Sequence, residues 1–71
     1  MNTYTAADKS IAAYDAYVFA SVGRSFDANK ADTLAAVAVV DCEVASRDRK
    51  VNQVTRDFYR AQAAQFRAIV S

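Results

Sequence analysis

From Arg24 to Ser71 the chain carries no glycine or proline, and its apolar positions recur with a helical period. Leu34, Val37, Val40 and Val44 fall at three- and four-residue steps. At 100° per residue Val51, Val54, Phe58 and Ile69 continue that stripe, with Phe66 flanking it. Turns and irregular loops are usually built on glycine and proline, so their absence predicts nearly uninterrupted helix. A second stripe precedes it: Tyr4, Ala7, Ile11, Tyr14, Val18 and Val22 share one helical face. Thr5 and Asp8 have the spacing of a capping box, Gly23 suits a left-handed C-cap, and Arg24 suits the negative helix end. The pattern therefore predicts helix 1 over about residues 5–22 and a turn over about 23–28. A long helix follows over about 29–69. Asp27 and Asn29 compete as its cap, with Phe26 as a staple residue.

The later stripe has one interruption, Ser46-Arg47-Asp48-Arg49-Lys50. Two all-α architectures follow. In one, a helix of about forty residues, roughly 60 Å at 1.5 Å per residue, pairs with the short first helix in a lopsided helical hairpin. In the other the chain breaks near residues 46–50, with Ser46 or Asp48 as cap, into a three-helix bundle. Phase continuity and the missing glycine and proline favour the long helix, kinked or straight. Helix 1 covers only half of such a partner. Val54, Phe58, Phe66, Ile69 and Val70 would then face water, which points to an antiparallel dimer and a four-helix-like bundle.

Size agrees with a need for association. Seventy-one residues make one domain, and a chain so short often needs a staple. One cysteine and no histidine leave neither an intrachain disulfide nor a usual zinc set, so no metal or cofactor is expected. Alanine supplies much of the 54% hydrophobic content, and it favours helix while burying little. No basic leader precedes an apolar run, and the uncharged stretches 16–23 and 33–40 are far too short to span a membrane. A soluble cytoplasmic protein is the expectation, and a lone thiol fits a reducing compartment.

The net charge of +1 conceals an asymmetry. Residues 1–45 hold six carboxylates against three cations, and residues 46–71 hold six cations against two carboxylates. Read as one helix, Arg49, Arg56, Arg60 and Arg67 line up opposite the stripe at spacings of 7, 4 and 7. Such a row suits an acidic protein surface or a phosphate backbone, and otherwise a solvated face. The balanced charge argues against a dedicated nucleic-acid binder. Tyr17, Phe19 and Tyr59 project off the stripes as outward aromatic anchors, while Tyr14, Phe58 and Phe66 belong to the core.

Catalytic patterns are weak. Cys42 lies between Asp41 and Glu43, neighbours that disfavour a thiolate, and reads as a small semi-buried residue. Asp27 and Asn29 open like a calcium loop, but Asp32 stands where the turn glycine belongs. Asp8 and Asp15, two turns apart, read as solubilising charge. The sequence thus predicts a non-enzymatic helical interaction module: an adaptor, regulatory binder or assembly subunit. Its partner residues would be Tyr17, Phe19, Tyr59, Arg49, Arg56, Arg60 and Arg67. A nucleic-acid-binding helical dimer built on the arginine row is the alternative.

Overall fold

The computed structural model describes residues 3–23 and 26–70, with side chains from residue 5 onward. Three helices and, among the described residues, no strands make up the fold. They are α1 (Thr3–Ala20), α2 (Ala28–Arg47) and α3 (Gln53–Ile69). The molecule is 40 Å long and 23 by 17 Å in section. The side chain of Tyr4, expected in the first stripe, and Arg24, expected at the end of helix 1, lie outside the described set.

Two boundaries depart from the sequence expectation. Helix α1 begins and ends two residues early, so Thr5 stands inside the first turn of the helix rather than capping it. Gly23 follows in the left-handed region, φ 78°, and Asp27 caps α2 by accepting from the amides of Asn29 and Lys30. More consequential is the end of α2 at Arg47: the single helix over 29–69 is replaced by two. Glycine and proline are not what breaks it. Asp48 adopts extended backbone and its carboxylate accepts from the Lys50 amide at 2.9 Å. Asn52 then caps α3, accepting from the Thr55 amide at 2.8 Å. Short Asx side chains offer the backbone local hydrogen bonds that compete with the helical ladder. Val51, 6% exposed, pins the turn from inside.

The core also lies on the other side of α2. Ala31, Ala35, Ala38, Cys42 and Ala45, spaced 4-3-4-3, are the buried residues of this helix. The stripe that hydrophobicity singled out points away: Val37, Val40 and Val44 are about half exposed, as is Phe58, while Val54 is 81% exposed. Side-chain volume explains the inversion. Both other helices pack along α2, and the bulk between them comes from Ile11 and Tyr14 of α1 and Tyr59 and Phe66 of α3. Tyr14 meets Phe66 edge-on, ring centroids 5.1 Å apart. Large residues from two helices leave room only for small ones on the third, and large-against-small layering is how cores reach full density. Alanine admits that close approach. Valine does not.

The separation of α2 from α3 alters the case for a partner. No long helix runs past its neighbour. What stands uncovered is the outer face of a three-helix bundle.

Candidate functional site

Three surfaces hold the residues that the sequence nominates. The first is the α1–α2 turn. Tyr17 is half-buried there, its hydroxyl accepting from the Asp27 amide at 3.1 Å. Phe26 lies 6.0 Å from its ring and the Lys30 ammonium 5.1 Å from its centroid. Tyr17 thus braces the turn from within the molecule, so its polar end is already occupied. Phe19, two residues on, is 82% exposed and makes the opposite choice. The 200° between them around the helix accounts for the difference.

The second surface is cationic. Arg49 lies in the turn before α3, so the four-residue row contracts to Arg56, Arg60 and Arg67 on one face of α3. Arg56 Nη2 donates to Gln53 Oε1 at 2.8 Å, and Gln53 Nε2 donates to Asp57 at 2.8 Å. Arg60 pairs with the same carboxylate at 3.5 Å. Arg67 crosses to Glu43 of α2, which also lies 3.9 Å from Arg47. Arg47, Arg60 and Arg67 remain mostly exposed in these pairs. The contacts therefore orient the guanidinium groups without removing them from water. Exposed pairs of this kind contribute at most about 1 kcal/mol each.

The third feature is a polar cluster where the three helices meet. Tyr59, expected as an outward anchor, is buried, and its hydroxyl donates to Asp8 at 2.5 Å. Its ring belongs to the core for the same volume reason as Phe66. Ser10 donates to Asp41 from α1 to α2. Asp8 therefore has a structural task that its spacing from Asp15 did not reveal. The signal existed only as the pairing of a buried tyrosine on one helix with an acid on another. Cys42 sits behind this cluster, fully buried. Burial first, then the charges of Asp41 and Asp8, push its thiol from 9.0 up to about 11.

Chemically the cluster ties helices together. Both hydroxyls spend their protons on carboxylates, and the thiol is held in its neutral, poorly nucleophilic form. Among the described residues no group of three or more metal-ligating side chains forms. No helix there is long and apolar enough to cross a membrane.

The raised thiol has a signed consequence. A folded-state pKa above the unfolded one favours the neutral thiol, so Cys42 supports the fold fully below pH 9. That support is lost as pH rises toward about 11. Urea midpoints of the wild type are expected to fall across that window more than those of Cys42→Ala. Equal alkaline slopes for the two proteins would refute the linkage. A thiol reagent at pH 8 is expected to label the folded chain more slowly than the denatured one, because the thiol is buried and held neutral.

No family model, curated protein or solved structure matches this chain. Its function must therefore be argued from its own surfaces.

Proposed function

We propose that the chain is a non-enzymatic helical interaction module, acting as an adaptor, regulatory binder or assembly subunit, and that it docks on another protein through the outer face of α2. One observation carries this reading. Thr33, Val37, Val40, Val44 and Arg47 form a second 4-3-4-3 series on α2, turned about half a revolution from the buried alanine series. Three β-branched aliphatic residues are thereby held in line on a rigid helix and half exposed. A solvated face would be polar at those positions, whereas a seam with this spacing suits a second helix. Phe19 of α1 and Val54 and Phe58 of α3 are exposed apolar side chains as well, and exposed apolar surface in excess of scattered single residues marks interaction sites.

The polar groups of the cluster support the same reading, since each is engaged in holding the bundle together. The nucleic-acid alternative is less favoured. Arg56, Arg60 and Arg67 each already meet a carboxylate or amide of the chain itself.

A photo-crosslinking amino acid at Val40 tests the docking face in the native cell. Discrete higher-mass adducts are expected from position 40 and not from Gln65, an exposed control on α3. Equal, diffuse labelling from both positions would remove the basis of the reading.

A further inference from the structure

We propose that the occupant of the α2 face is a second copy of this chain, the two α2 helices packing antiparallel across a two-fold axis between Val37 and Val40. The inference rests on the docking face proposed above and assigns its partner. Both α1 and α3 pack along α2, whose buried side is the alanine series, so the valine series forms an outward crest.

Thr33, Val37, Val40 and Val44 are spaced 4-3-4, a series that reads the same from either end. A two-fold contact needs this, because where one residue meets a second on the partner, the second must meet the first. Turned end for end about its midpoint, the series sets Val37 on the partner's Val40 and Thr33 on the partner's Val44. That midpoint falls within about one residue of the centre of α2, Ala28–Arg47. Nearly the whole helix therefore overlaps its counterpart, and the seam leaves no apolar overhang.

The charges at the ends of the seam fit the same register. Asp32 precedes Glu43 by eleven residues and so lies within about 20° of it, on the flank where Glu43 meets Arg67 of α3. Among the described residues Asp32 has no ion-pair partner. Arg47 has only a loose one: its side chain is 77% exposed and 3.9 Å from a Glu43 that also holds Arg67. The two-fold axis sets like flanks on one side and brings Arg47 within about 3 Å, along the helix, of the level of the partner's Asp32. This pair forms once at each end, and an arginine fork suits a carboxylate. Lys30 is level with the partner's Arg47, but its ammonium is drawn toward α1, 5.1 Å from the Tyr17 ring centroid, which keeps the cations apart. Parallel pairing would set Arg47 beside Arg47 and Asp32 beside Asp32. Charge thus selects the antiparallel sense.

One helix face on a molecule with 4879 Å² of surface covers about a tenth of it, or roughly 1,000 Å² over both copies, the size of a weak, reversible contact. The seam differs from the dimer expected of a long helix, whose uncovered residues lay at positions 54–70.

Sedimentation equilibrium tests this, with circular dichroism to verify each fold. At about 0.5 mM protein, a concentration suited to so small an interface, the wild-type mean mass should reach at least about 1.5 times the monomer's 7.7 kDa and level off at two copies. Val40→Glu should be monomeric, whereas Val54→Glu, at an exposed valine of α3, should associate as the wild type does. Val40→Ser replaces Val40→Glu if the latter unfolds. Arg47→Glu should weaken association several-fold, and adding Asp32→Arg should restore it. Arg47→Gln replaces Arg47→Glu if the latter unfolds, and should weaken association without the reversal. On mild oxidation a mixture of Thr33→Cys and Val44→Cys chains should form a disulfide dimer that neither forms alone. Masses beyond two copies, a Val40→Glu chain that associates normally, a Val54→Glu chain that does not, a double variant as weak as Arg47→Glu, or a Thr33→Cys chain that bonds to itself would each overturn the proposal. A monomeric wild type that still gives discrete Val40 adducts fails this inference alone and leaves the docking face to a different protein.

Discussion

Phe66→Ala is expected to cost about 3–5 kcal/mol, the usual range for deleting a buried phenylalanine. At about 0.05–0.15 kcal/mol per residue, a chain of this size has a total stability of only several kcal/mol. The variant should therefore be largely unfolded at 25 °C. The ring is 5% exposed, lies against Ala35 and Ala38, and meets Tyr14 edge-on. Removing it deprives all three helices of a shared contact, and alanines on the facing helix are too short to refill the space. Far-ultraviolet circular dichroism during urea titration measures the effect. The matching truncation Phe58→Ala, at a ring half exposed to water, should cost well under half as much. Equal losses at the two sites would contradict the placement of the core.

Ala38→Leu is the second large effect, and it discriminates between the two faces of α2. Ala38 is fully buried. Three added carbons must push α2 off its neighbours, so a loss of about 1–3 kcal/mol is expected. Val40→Ala, on the opposite face, should stay within about 0.5 kcal/mol in dilute solution. A core built on the valine stripe would reverse that order: enlarging position 38 would be harmless, and trimming position 40 would open a cavity. Urea midpoints at unchanged m-value separate the alternatives.

The same contrast shows how far the chain's own pattern carries. Helix content was legible because it depends on local terms, namely alanine-rich segments, a 3.6-residue period and one glycine beside a capping aspartate. Tyr14 and Phe66 also read as core residues, and they meet there. The break at 48–52 was less legible. Asp48 and Asn52 encode it through side-chain hydrogen bonds, and those compete with a helix that phase continuity alone would extend. Tyr59 read as an outward anchor because its phase was judged against a stripe that proved to be the outer face. Arg49 was assigned to a row that exists only if the helix is unbroken.

Local chemistry thus settled that the chain is helical and that its first turn lies by Gly23, while Asp27 was one of two candidate caps there. Which side of α2 faces inward depended on all three helices at once. Hydrophobicity ranks valine over alanine at every position taken singly, but a shared axis filled by Tyr14, Tyr59 and Phe66 admits only the smaller side chain. Volume complementarity belongs to the assembled bundle and to no single segment. That is why the most apolar face of the central helix is left pointing outward.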